Sequence, residues 1–454
     1  MTPPSLTPNA IEYGRERLFD IAGVQELDVP FVYGPADTPL PAPGILILPA
    51  PPDAWQQLLH LPPNSLDWLP AEAFFPPGYP RPFDDALPVL FWGEGRQGQQ
   101  PVRVREDGSV VFQVDILAAA LFMLTRWEET ILPDRDQHDR FPATASVAYR
   151  QGFLDQPIVD RYAMILRAWL QKLHPNWQPP TRNLTLRLSH DIDHLRRFLT
   201  TKEAFRQTAH DAVYLRRLDL VWNDVKDYLS GRLWLANNPY LTAIDVYADL
   251  AESVGTKAYF YIMATTPGPY DEGFDIHNPT LLTKLRAIQD RGHIVGLHPG
   301  YRTYRDLNRY QTEKAHLERA LNQSVHHARQ HYLRFQVPFT WRIAAAAGIK
   351  EDTTLGYADH EGFRCGTSYP YPVFDILADE LLPLTEHPLH MMDSTLMFYR
   401  NLTPQQGFDR MERLARRVAE VGGELHLLWH NTALAFIQRP WFDVYRQFLL
   451  SYTS

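Results

Sequence analysis

From about residue 180 onward the chain alternates between short apolar, strand-like runs and longer segments of helical period, and this alternation narrows the possible folds more than any other feature. Strand candidates lie near 184–190, 257–263, 293–298, 328–334, 351–357, 391–398 and 424–430, with helical patterns over 240–254, 279–290, 306–325 and 403–421. Strands joined by helical crossovers run parallel, so their carboxyl ends gather on one side. Seven such strands predict an α/β fold built on an incomplete, distorted (β/α) barrel. The last helix opens on Thr403-Pro404-Gln405-Gln406, a capping box with proline at the first helical position, and stops at Gly422-Gly423.

Before residue 180 the organisation differs. Proline clusters such as Pro49-Ala50-Pro51-Pro52 punctuate short segments, an amphipathic helix capped by Asp115 is expected over 115–130, and a second helix over 158–173. The turn-rich stretch Pro175 to Pro180 reads as a linker, which gives a smaller α/β accessory domain over 1–180 and the barrel over 181–454. The N-terminal unit is expected to contribute no catalytic group.

The 454 residues carry 44 basic and 53 acidic side chains, and a net charge of −9 argues against nucleic acid as a partner. No apolar run reaches membrane-spanning length, so no membrane span is expected. A lone cysteine, Cys365, excludes an intramolecular disulfide, and the N-terminus lacks the basic and apolar regions of a secretion signal; both point to the cytoplasm.

The chemistry concentrates at strand ends. Ser189-His190-Asp191-Ile192-Asp193-His194 closes the run Leu184–Leu188, and the alternation of an extended chain sets Asp191 and Asp193 on one face. Two adjacent carboxylates repel unless a proton or a cation lies between them, so this pattern calls for one or the other. Gly292-His293-Ile294-Val295-Gly296-Leu297-His298, Arg329-Gln330-His331-Tyr332 and Leu427-Leu428-Trp429-His430 end further runs in imidazole or guanidinium. In a β/α barrel these termini would converge on one site.

These motifs resemble the polysaccharide deacetylases of the NodB-homology type, carbohydrate esterase family 4, over roughly residues 183 to 435. The resemblance implies an incomplete barrel, a divalent metal and hydrolysis of acetyl groups on sugars. It assigns the base to Asp191, metal binding to Asp193 and His298, orientation of the base to Arg329, and the general acid to His430. Asp352-Thr-Thr354-Leu-Gly-Tyr357, Gly362-Phe-Arg364-Cys-Gly366 and the stretch Asp115 to Glu129 resemble a bacterial subgroup that carries an extra N-terminal domain.

The sequence departs from the family in two places. The second metal-binding histidine of the second motif is Arg302 here, and the proline of the third motif is His331. His331 is therefore expected either to supply the missing nitrogen ligand, a role His194 is disfavoured for because neighbouring strand residues face opposite sides, or to hydrogen-bond substrate or base while water completes the metal's shell. The expected cofactor is Zn²⁺ or another first-row divalent cation, which one carboxylate and one or two imidazoles would hold with positions left open. Tyr301, Arg302, Tyr332 and Arg364 are candidate contacts for a carbohydrate substrate. The expected activity is metal-dependent removal of an acetyl group from an amino sugar in a polysaccharide, glycoconjugate or precursor. Two other readings stay open: a small-molecule C–N hydrolase of the same superfamily, with or without metal, and a silent carbohydrate-binding barrel.

Overall fold

The computed structural model describes residues 6–452 apart from 26, 42, 199, 214–217, 234, 236–237 and 436–437; Met1–Ser5, part of the segment read for a secretion signal, lies outside the described residues. The N-terminal part holds β1 (Phe31–Tyr33), β2 (Ile45–Ile47), a two-stranded hairpin of β3 (Asp67–Leu69) and β4 (Leu87–Val89), then β5 (Val102–Val104) and β6 (Val110–Phe112). Its main sheet runs β1-β2-β6-β5. The inner strand β2 reads Ile-Leu-Ile and is buried throughout, as a strand covered on both faces must be.

The C-terminal part holds β7 (Thr185–Ile192), β8 (Ala258–Met263), β9 (Ile294–His298), β10 (His327–Ala328), β11 (Glu351–Asp352), β12 (Tyr371–Asp375), β13 (Glu380–Glu386), β14 (Met391–Met392) and β15 (Glu424–Leu428). They form one nine-stranded sheet in the order β12-β13-β11-β10-β9-β8-β7-β15-β14. Every pairing is parallel except β12 with β13. β12 and β14 stand at its two edges, so the sheet is open and no closed barrel forms among the described residues.

Three expectations are corrected here. The hairpin β12–β13 adds two strands to the expected seven. The run over 328–334 pairs only at 327–328, because the chain then turns through Tyr332 and Leu333 at φ 61° and 52°. The expected amphipathic helix over 115–130 is two helices, Ile116–Leu124 and Trp127–Ile131, broken at Arg126 with φ 51°. Ile116–Leu124 is buried on every side, hence apolar all round and not amphipathic. The helix Pro404–Ala419 begins on the expected capping box and ends before Gly422, whose φ of 71° and close approach to the Arg182 carbonyl exclude a side chain.

The parts before and after 180 share one buried core. The helix Pro8–Ala22 lies against β12, where Tyr13 stacks on Phe374 at 4.9 Å and its hydroxyl donates to the Pro372 carbonyl. Buried Asp160 accepts from the backbone and hydroxyl of Ser368 (2.7 Å each). Arg126, Glu128 and Glu129, the charged residues around the second short helix, form a buried ion network with Arg364 and the Tyr357 hydroxyl.

Candidate active site

Parallel order brings the carboxyl ends of β7, β8, β9, β10 and β15 together, and Asp191, Asp193, His298, Arg329, His331 and His430 sit there. β7 is hydrogen-bonded on both sides, to β8 and β15, which fixes its register and hence the facing of its side chains. Asp191 and Asp193 face the cleft. His190 faces away: its Nδ1–H donates to the Trp429 carbonyl (2.9 Å) and its ring stacks on Tyr247 at 3.8 Å. Burial pushes its pKa down to about 3, so it is neutral. β9 fits between its neighbours because residue 296 is glycine; a Cβ there would lie 2.8 Å from both the His327 carbonyl and the Tyr261 ring.

Asp193, His298 and His331 bring one ligand atom each within 4.8 Å of one another. His298 Nε2 lies 3.2 Å from Asp193 Oδ1, and His331 Nε2 lies 4.0 Å from the same oxygen. The far side of each ring is tied down. His298 Nδ1–H donates to the Arg329 carbonyl (2.6 Å), and His331 Nδ1–H to Asp271 (2.8 Å). That arrangement leaves both Nε2 atoms aimed at Asp193, the outer support usual for a histidine that binds a metal. Asp193 Oδ1 and His298 Nε2 are buried and have no hydrogen-bond partner. Two orphaned buried polar atoms side by side fit a cation between them. Burial opposes the charge on Asp193, but His298, His331 and His430 outweigh it and hold the carboxyl well below its usual range. Arg302, the residue in place of the family's second histidine, is exposed and outside the cleft.

Asp191 stands beside this cluster, 3.7 Å from His298 Nε2 and 3.5 Å from the Arg329 guanidinium. Arg329 is fully buried and held by Thr353, by the Tyr261 ring below its plane and by His426 Nε2 at 2.8 Å. Burial, reinforced by Arg329, keeps His426 neutral and able to accept that bond. His430, past the end of β15, gives its Nδ1–H and its backbone N–H to Asp393 (2.6 and 2.8 Å) and points Nε2 at Asp193 from 3.8 Å. Burial disfavours its charge, yet Asp393, Asp193 and Asp191 together raise its pKa to about 10.

Asp191, Asp193, His298, His331 and His430 line a cleft of about 580 Å³ with Tyr270, Tyr332, Phe398 and Tyr399. Phe398 is 66% exposed, and Tyr270 and Tyr399 are also open to solvent at the cleft's edge. Of the expected substrate contacts only Tyr332 lies in the wall. Tyr301 packs behind it, stacked on Tyr270 at 4.1 Å with its hydroxyl on His138. Arg364 is buried away from the cleft and donates to both Glu129 oxygens (2.9 and 2.6 Å) and to the Gly356 carbonyl. A buried guanidinium needs a carboxylate, and Glu129 is that partner. The N-terminal part does reach the cleft: Arg140 lines it and donates to the Tyr332 carbonyl and the Tyr399 hydroxyl.

Asp271, Asp393, Glu272 and Arg140 complete the site and were not singled out from the sequence. Asp393 carries the same signal as the others, a carboxylate directly after the strand Met391–Met392. Asp271 sits in the loop Pro267-Gly-Pro-Tyr-Asp271 and has no such signal.

Residues 64–175 match a family of unknown function (DUF7033). No curated protein sequence matches the chain. Among solved structures it is similar to a protein from Mycobacterium smegmatis assigned as a polysaccharide deacetylase, at 16% identity and a TM-score of 0.39, over 61% of this chain and 86% of that one. It is also similar to Puue allantoinase, at 12% identity and a TM-score of 0.37 over 61% and 86%, respectively. A third is a mutant of a CE4 family pseudoenzyme with restored enzymatic activity, at 11% identity and a TM-score of 0.25, over 46% of this chain and 59% of that one. Similarity at this level assigns no activity.

Proposed function

We propose that the chain is a metal-dependent hydrolase that removes the acetyl group from an N-acetylated amino sugar. The observation that carries this reading is the convergence of Asp193, His298 and His331 beside Asp191, with the outer nitrogen of each histidine already bonded. Asp193, His298 and His331 would hold the cation. Bound there, it would supply positive charge to acidify a water and polarise an acyl oxygen.

The remaining work falls to this chain's own side chains. Asp191, oriented by Arg329, takes a proton from the attacking water. His430, protonated at neutral pH by the pull of Asp393, gives a proton to the departing nitrogen. The backbone N–H of Tyr332, at the left-handed turn after His331, serves the developing oxyanion, a donor typically worth about 3 kcal/mol. The open aromatic faces of Tyr270, Phe398 and Tyr399 suit the flat, C–H-rich face of a sugar ring.

Release of acetate from N-acetylglucosamine oligomers tests the proposal. Release that disappears on chelation, returns with Zn²⁺ and is lost in Asp191→Asn supports it. No release from any N-acetylated saccharide with metal present contradicts it.

A further inference from the structure

Between β7 and the helix Pro239–Ser253 the chain inserts a helical hairpin, Thr201–Val213 and Leu218–Leu233, whose two helices pack on each other. Its polarity is inverted. The face of Leu218–Leu233 turned toward the protein carries buried Asp224 and Asp227, both paired with Arg197. The outward face carries Leu218, Trp222, Val225, Leu229 and Leu233, spaced by four, three, four and four residues and therefore in one stripe. Leu218 and Trp222 are 78% and 70% exposed, and Phe205 on the first helix is 76% exposed. Single exposed apolar residues are ordinary, but a continuous stripe of this length marks a surface that meets something.

The charges say what it meets. Lys226 and Arg232 are exposed and flank the stripe on opposite sides, and Lys202 and Arg206 are exposed on the first helix, in a chain whose net charge is −9. A Trp/Leu stripe edged by Lys and Arg is the pattern of a helix lying in the interface of an anionic bilayer. The hairpin is anchored just past the cleft: Arg196 abuts Gly231 and Arg197 holds the two aspartates, two and three residues beyond cleft-lining His194.

We propose that this hairpin docks the protein on an anionic lipid surface, with the apolar stripe at the acyl boundary and the four basic side chains among the headgroups. Co-flotation with vesicles tests it on the full-length protein. The wild-type chain should float with phosphatidylcholine–phosphatidylglycerol vesicles and far less with phosphatidylcholine alone. Leu218→Ser with Trp222→Ser should abolish flotation. Lys226→Glu with Arg232→Glu should weaken it by at least about tenfold, each basic residue near such a surface being worth about fivefold. All four positions are exposed, so an unchanged circular dichroism spectrum is expected and separates lost docking from lost folding. No flotation of the wild type, or flotation that the substitutions leave intact, overturns the proposal. So does a wild-type dimer in sedimentation velocity that Trp222→Ser converts to monomer, because the stripe would then be covered by a second copy.

Discussion

Replacing Arg364 with methionine should destabilise the protein without touching substrate binding. The guanidinium is fully buried and gives three hydrogen bonds, two to Glu129 and one to the Gly356 carbonyl. Methionine fills much of the volume but leaves Glu129, itself buried, sharing Arg126 with Glu128. Burial opposes the charge on Glu129, while Arg364 and then Arg126 hold its pKa below the usual range, so loss of Arg364 removes the larger support. Breaking a buried pair on one side costs about 3–5 kcal/mol. Unfolding entropy of about 2.1 cal/mol/K per residue gives about 1 kcal/mol/K for 454 residues unfolding together. The variant's Tm should therefore fall by about 3–5 °C in differential scanning calorimetry. Arg302→Met, an exposed control, should shift it by less than about 1 °C. Below the melting range, KM for an N-acetylated oligosaccharide should match the wild type. An unchanged Tm with a raised KM would refute the placement of Arg364 and return it to the substrate.

Asp191→Asn should keep bound metal and lower turnover by about 10²–10⁴, the usual loss with a general base; metal loss on elemental analysis would make Asp191 a ligand instead. Asp393 raises the pKa of His430, so the alkaline limb of kcat should lie above the ordinary histidine value of about 6.5. Asp393→Asn removes the largest group raising that pKa and should move the limb to lower pH, toward the ordinary histidine value of about 6.5; a limb that stays in place removes His430 as the acid. Proteolysis between residues 176 and 181 should give two fragments that remain together in gel filtration, because Tyr13, Asp160 and Glu129 bind across that boundary. Separate elution of folded fragments would contradict the shared core.

What was legible in the sequence was set by local rules. Helix bounds came through where caps are explicit, as at Thr403-Pro404, because a cap depends on residues within one turn. The convergence of the β7, β9 and β15 ends was legible because parallel order converts chain position into spatial proximity. The two-residue strands β10, β11 and β14 were overextended, since their pairing is cut short by turns such as the one at Tyr332. The helices Thr201–Val213 and Leu218–Leu233 were missed although Leu218, Trp222, Val225, Leu229 and Leu233 recur at helical spacing. Arg364 was misplaced because its partner Glu129 lies 235 residues away, a distance over which sequence gives no pairing signal.

The metal centre is tested most directly by elemental analysis and metal titration of the purified chain beside His331→Ala, Arg302→Ala and an Asp193→Asn/His298→Ala double variant. Wild type and Arg302→Ala should bind about one equivalent of Zn²⁺ with the same affinity, His331→Ala should bind it more weakly, and the double variant should bind none. Equal metal content in the wild type and the double variant would contradict the account. Unchanged affinity in His331→Ala would remove His331 from the coordination shell.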